Sequence, residues 1–251
     1  MHFSTEEIYK IRLETIGTQY VTHFNNAGVA LIPDPVRNVV INYLEEEARY
    51  GGYEMAAKYQ QDISDMYSTI AQFIGANADE IAVVENATEA WHKAFHSIPF
   101  NSGDIILTAE AEYATNFISY IQVKQKLGIE VKIIPSDATG QVDLAALEQL
   151  ISPKVKLIAI THIPTNSGLI NPAEAIGKIA KRHNILYLLD ACQSVVQIPV
   201  DVNAIGCDML SATGRKYLRG PRGTGFLYIR KSVYEQLEPP FLDLHSASWE
   251  S

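Results

Sequence analysis

Only two cysteines, Cys192 and Cys207, occur in the 251 residues, and neither stands in a C-x-x-C pair or near a cluster of histidines. A disulfide framework and a structural zinc site are therefore both set aside. No apolar run reaches the ~18 residues of a membrane span. Met1–Glu7 has no basic stretch leading into an apolar core, so no signal peptide is read and the chain is expected to be cytoplasmic. Positive charge is scarce: 20 Lys and Arg against 29 Asp and Glu leave a net charge of −9. That balance argues against nucleic acid or an anionic membrane as the main partner, with the basic stretch Arg215–Arg222 as a local exception. Also missing are an internal repeat, a low-complexity tract, a G-x-G-x-x-G after the first strand and a Walker lysine pattern. Dinucleotide-binding and P-loop readings fall away with them.

What is present is alternation. Residues 1–32 read as an irregular segment ending in Phe24-Asn25-Asn26-Ala27-Gly28, and 33–251 as one large α/β domain. Pro33-Asp34-Pro35 opens a helical pattern to about Tyr50, because proline is tolerated in a first turn, and Gly51-Gly52 breaks it. A second helix is predicted over Tyr53–Ile74, with Ile63, Met66, Ile70 and Phe73 on one buried face. Short apolar runs then follow at Ile81–Val84, Ile105–Leu107, Val131–Ile134, Val155–Ile160, Ile185–Leu189 and Phe226–Ile229, with Met209-Leu210 as the end of another. Between them lie helical patterns over Thr88–His96, Asn116–Leu127, Asp143–Ile151 and Pro172–His183. This order predicts an α/β fold with a mainly parallel sheet flanked by helices on both faces.

Strands of a parallel sheet release their chains at the carboxyl edge, where ligands gather, so chemistry is sought in the residues after each run. The run Ile185–Leu189 stops at Asp190, followed by Ala191, Cys192 and Gln193. A flat ring lying on Ala191, its nitrogen held protonated by Asp190 and an edge oxygen bonded by Gln193, fits that spacing. A plain turn or cap role for Asp190 fits it too. Ala87 and Thr88 open a helix whose free N–H groups suit a phosphate, unless Thr88 or Asn86 merely caps it. Ser211–Gly225 is a hydroxyl-rich, basic loop holding Thr213, Lys216 and Thr224. Most lysines are solvated; one that carries a carbonyl cofactor must be partly desolvated among cations. Arg215, Arg219 and Arg222 either supply those cations, bind phosphate or are solvated. Tyr113 is either a core aromatic or a ring-stacking group, with Glu112 and Asn116 as polar supports. Thr161–Gly168 is a further polar turn. A strand-end Asp, a Lys and an anion-friendly loop are together what a pyridoxal phosphate (PLP) site needs.

In that order, these segments resemble the class V (cysteine desulfurase-like) aminotransferases, fold-type I PLP enzymes. The resemblance runs from Asn25 to the 220s and is most specific at Asp190-Ala191-Cys192-Gln193 and Gly214–Gly225. It implies PLP on Lys216 as a Schiff base, Asp190 at the pyridine nitrogen and Gln193 beside the phenolic oxygen. It places Ala87, Thr88 and Thr213 at the phosphate, and Thr224 near the phosphate of a partner subunit. Arg215 stands where many relatives carry a His beside the lysine, and Tyr113 at the ring-stacking position, also often His. A tyrosine stacks but supplies no imidazole for the acid–base step of desulfurases. Thr165 or Asn166 matches an Asn near the cofactor. The implied activity is of transaminase or C–S lyase type, on an amino acid substrate, in a homodimer without metal. Relatives continue for about another domain, which carries the arginine for the substrate carboxylate and, in desulfurases, a mobile cysteine. That small C-terminal domain is read as absent here, and Cys192 and Cys207 lie in the wrong segments to replace the cysteine. The alternative is a truncated or split member that binds PLP but is incompetent alone, with the missing part supplied as a separate polypeptide.

Overall fold

The structure, a computed structural model, describes residues 3–243 and 246. Residues 244–245 and 247–251 of the expected large domain, and 1–2 of the leading segment, lie outside the described residues. The chain begins with α1 (Thr5–Leu13), where an irregular segment was expected. The reason is a capping box: Ser4 Oγ accepts from the Glu7 N–H and Glu7 Oε2 accepts from the Ser4 N–H. After α2 (Asp34–Tyr50), Gly51 turns the chain at φ +96°. The single helix expected over 53–74 is two, α3 (Gly52–Lys58) and α4 (Gln60–Ile74). The break falls at Tyr59, whose hydroxyl joins Lys58 Nζ on Glu46 of α2. The expected apolar face of this region is also corrected. Ala71 and Ile74 are buried and Ile70 partly so, but Ile63, Met66 and Phe73 are exposed. The buried side chains belong to the C-terminal half of α4, the part that reaches the sheet.

From there the alternation holds: β1 (Ile81–Val84), α5 (Ala87–His96), β2 (Ile105–Ala109), α6 (Ala114–Leu127) and β3 (Glu130–Ile134). Then come α7 (Leu144–Leu150), β4 (Val155–Thr161), α8 (Ala173–Arg182) and β5 (Leu186–Asp190). A helix the sequence reading did not anticipate, α9 (Val202–Ile205), precedes β6 (Met209–Thr213) and β7 (Gly225–Ile229). It is one turn long, capped by Asp201, and too short for a periodicity to show.

The seven strands form one sheet in the order β1-β7-β6-β5-β4-β2-β3. Only β7 runs against its neighbours, so β1 points the same way as β6. The C-terminal ends of β1, β2, β4, β5 and β6 therefore collect along one edge. The chain leaves β2 outward to β3 and returns to β4 on the other side, which puts a topological switch point between β2 and β4.

Burial on two faces explains the unbroken apolar runs. Leu186 and Leu188 pack with Trp91, Phe95 and Tyr120 of α5 and α6. Tyr187 and Leu189 face the opposite layer, with Leu147, Ile176, Ile179 and Ile205 of α7, α8 and α9. Each such side chain contributes roughly 1.5–3 kcal/mol of hydrophobic stabilisation, so the central strands are mostly apolar, with buried hydroxyls such as Thr108 and Ser211 as exceptions.

The tightest contact in that layer is between α8 and α9, where a Cβ on Gly177 would overlap the carbonyl oxygen of Ile205. Gly177→Ala is therefore expected to push the two helices apart and lower stability by about 2–3 kcal/mol. A denaturant titration showing no loss would mean that α9 moves freely.

Candidate active site

Five strand ends meet at one cleft. Ala87 and Thr88 come from the start of α5, Tyr113 and Asn116 from the segment after β2, and Thr161 and Thr165 from β4 and its turn. Asp190, Cys192 and Gln193 follow from β5, and Arg215 and Lys216 from the loop after β6. Of the expected residues, Ala87, Thr88, Tyr113, Thr165, Asp190, Gln193, Arg215 and Lys216 are thus brought together. Asn166 is exposed and does not line the cleft, so of the two alternatives Thr165 is the one placed there. Thr213 and Thr224 sit behind the cleft and do not line it: Thr213 Oγ1 donates to the Thr224 carbonyl (3.4 Å) and accepts from Arg215 Nη1 (2.9 Å).

Lys216 is buried to 6% exposure and, among the described residues, forms no ion pair. Its Nζ lies 5.9 Å from the centre of the Tyr113 ring. The three arginines of the loop separate in role. Arg215 lines the cleft, Arg222 is exposed, and Arg219 is turned to the N-terminal segment, where it donates to Thr15 Oγ1 (2.6 Å) and the Leu31 carbonyl (3.3 Å). Of the three arginines, Arg215 alone shares the cleft with Lys216 among the described residues.

At the start of α5 the cap is Asn86, whose Oδ1 accepts from the Glu89 N–H at 3.0 Å. Thr88 keeps its hydroxyl, and the first-turn N–H groups have no acceptor within the helix. Gly225 makes this position possible: a Cβ on it would lie 2.8 Å from both the Ala212 oxygen and the Asn86 carbonyl carbon, so β7 presses directly on the turn that opens α5.

Asp190 is buried and hydrogen-bonded on both oxygens, Oδ1 to the Cys192 N–H (3.0 Å) and Oδ2 to Asn116 Nδ2 (3.2 Å). A carboxylate has about four acceptor positions, so acceptor capacity remains. Gln193 Nε2 donates to the Ala27 carbonyl (3.0 Å) and, weakly, to Thr165 Oγ1 (3.4 Å), while its Oε1 is buried with no partner. The expected bond from Gln193 to a ring-edge oxygen therefore falls to the proton now on Thr165.

Two groups do more than the sequence reading gave them. Glu112, expected as a polar support beside Tyr113, is held by five donors, described below. Cys192 lines the cleft, but burial first and the neighbouring Asp190 charge second hold its thiol well above the ordinary cysteine range. It is therefore a poor nucleophile.

The aminotransferase class-V family model matches residues 22–243. The chain belongs to the class V aminotransferase family. A probable cysteine desulfurase of Methanothermobacter thermautotrophicus is 31% identical over 223 residues, covering 88% of this chain and 56% of the relative. An apo cysteine desulfurase structure from Thermococcus onnurineus NA1 superposes with a TM-score of 0.87 at 29% identity, covering 94% of this chain and 60% of the other. A C-DES variant with glycine covalently linked to its PLP cofactor shares the fold at a TM-score of 0.89 and 22% identity, over 96% of this chain and 64% of that one. The class V chain thus spans a little over half the length of the curated relative it matches. No helix among its described residues is long and apolar enough to cross a membrane, and none of their His, Cys, Asp and Glu residues group as a metal site.

His162, in the polar turn after β4, does not line this cleft. It is buried with Nδ1 unpartnered, and burial lowers its pKa from 6.5 to about 4. The unfolded chain then takes up a proton that the folded chain refuses. Stability is full above pH 6.5 and falls through the folded pKa of about 4, by roughly 3 kcal/mol in total. His162→Gln is expected to flatten stability against pH between those values, and an unchanged slope in denaturant titrations would refute the assignment.

Proposed function

We propose that this class V chain is a PLP-dependent enzyme acting at the α-carbon of an amino acid, of transaminase or C–S lyase type. The observation that carries the reading is a buried lysine with no ion pair among the described residues, in a cleft that Asp190 enters from the neighbouring strand. The free acceptor positions of Asp190 and the open N–H groups at the start of α5 fit such a cofactor. When bound, PLP supplies an electron sink for charge developing at the substrate α-carbon.

The residues divide the remaining work. Lys216 Nζ would hold the cofactor and, when free, would move the substrate's α-proton as general base. Asp190 holds the ring nitrogen's proton through its charge. Ala87 and Thr88 hold the phosphate, with Thr213 orienting Arg215 beside it. Tyr113 covers the ring. Tyr113 brings no imidazole, which favours transamination, or C–S lysis with Lys216 as the sole proton carrier, over a histidine-assisted route. We further propose a homodimer, supported by apolar side chains left exposed on α2, α4 and α6, among them Val39, Leu44, Phe73 and Ile118.

A second reading rests on one observation. Arg215 is the one arginine lining the cleft, and its Nη1 is already given to Thr213. In this reading residues 1–251 bind PLP but clamp the substrate carboxylate poorly, and a separate C-terminal polypeptide supplies the clamp. Orienting a substrate in this way is worth several kcal/mol of barrier, out of the roughly 7–11 available from proximity.

Reconstitution with PLP is expected to give a visible absorption band that borohydride fixes on Lys216, read by peptide mass. A modified lysine elsewhere, with Lys216 untouched, would sink the assignment. The same loaded sample should sediment as a dimer at micromolar concentration and turn over free amino acids slowly until a separately expressed C-terminal domain is added. Brisk turnover by residues 1–251 alone would rule out the second reading.

A further inference from the structure

Glu112 lies one residue before the proposed ring-covering Tyr113, yet its carboxylate points into the protein. Five donors converge on it. Oε1 accepts from the Tyr113 N–H (2.7 Å), from Asn116 Nδ2 (3.1 Å) and from Thr161 Oγ1; Oε2 accepts from Thr108 Oγ1 (2.9 Å) and from Tyr120 OH (3.2 Å). The N–H groups of Tyr113 and Asn116 have no alternative role as acceptors, so this nest is built for an anion. Burial foremost, helped by the Asp190 charge, holds the Glu112 carboxyl above the ordinary carboxylate range, against the opposing pull of its donors, of which Thr161 is the strongest. The Asn116 amide spends one proton on Glu112 and the other on Asp190 Oδ2. Two buried carboxylates are thereby joined through a single side chain.

We propose that Glu112 is a positioning residue for Asp190, fixing through Asn116 the orientation of that carboxylate and adding a second negative charge behind it. The inference rests on the PLP reading and deepens it, since the charge pair then governs how tightly the ring nitrogen keeps its proton. The titratable groups facing Glu112 are Asp190 and Tyr120, and Lys216, Arg215 and Cys192 line the same cleft. Burial and then the Glu112 charge raise the Tyr120 hydroxyl well above the ordinary tyrosine range, so it stays a donor. Glu112→Gln isolates the charge. Its amide oxygen can keep the Tyr113 and Asn116 bonds, while its NH₂ group faces Thr108 and Tyr120, whose hydroxyls can turn to accept.

The test is the ¹⁵N NMR shift of the ring nitrogen in chain loaded with ¹⁵N-labelled PLP, followed against pH. Glu112→Gln is expected to keep the cofactor on Lys216 and to melt within a few degrees of the unsubstituted chain. Its ring nitrogen should hold its proton about tenfold less tightly, a midpoint about one pH unit lower. Tyr120→Phe, near-isosteric in the core, removes one donor that favours the ionised Glu112 and, by shifting that carboxyl further toward its neutral form, should move the midpoint the same way by about threefold. A midpoint that stays put in whichever variant folds and holds the cofactor would overturn the proposal, because a merely structural Glu112 moves the melting point alone. Failure of the unsubstituted chain to hold PLP on Lys216 defeats the underlying reading instead, and is seen before any variant is made.

Discussion

A carboxylate at the end of a strand whose other residues are buried and apolar is tolerable only if donors meet its oxygens. Asp190 is in that position, and much of the polar architecture of the sheet follows from it. Its own turn supplies one donor, the Cys192 N–H, and α6 supplies the other, Asn116. Asn116 is held in turn by Glu112, and Glu112 by hydroxyls that stand in otherwise apolar strands, Thr108 in β2 and Thr161 in β4. Thr108 is fully buried, and its presence has no other evident reason. The charge at one strand end thus dictates side chains on two more strands and a helix.

The fold was legible because its central strands are buried on both faces, which leaves continuous apolar runs that Gly and polar turns punctuate. The cleft residues were legible for a related reason: each follows directly on such a run, as Asp190 follows Leu189. Where interactions are long-range, the sequence was silent. The bond from Arg219 to Thr15 spans 204 residues, and no local pattern distinguishes it from a phosphate contact or a solvated arginine. The exposure of Ile63, Met66 and Phe73 was equally hidden, because periodicity reports an apolar face and not what covers it. The α1 capping box, by contrast, is a local signal, carried by Ser4 and Glu7 three residues apart.

The loop between β6 and β7 does two jobs with neighbouring residues. Lys216 and Arg215 turn into the cleft, while Arg219, in a left-handed conformation at φ +58°, turns away to the N-terminal segment. The reversal is compact because Gly214 and Gly220 close it backbone to backbone, Gly220 N–H to the Gly214 carbonyl at 2.7 Å.

The segment that Arg219 holds also touches the cleft itself, through Gln193 to the Ala27 carbonyl and the Ala30 N–H to the Arg215 carbonyl. These contacts join residues 166 to 204 positions apart. Pairings of such sequence separation are slow to form, since their closure entropy must be met before they stabilise anything. On a ribosome, the N-terminal wall of the cleft therefore cannot close until Gln193 and the β6–β7 loop that carries Arg215 and Arg219 have been made.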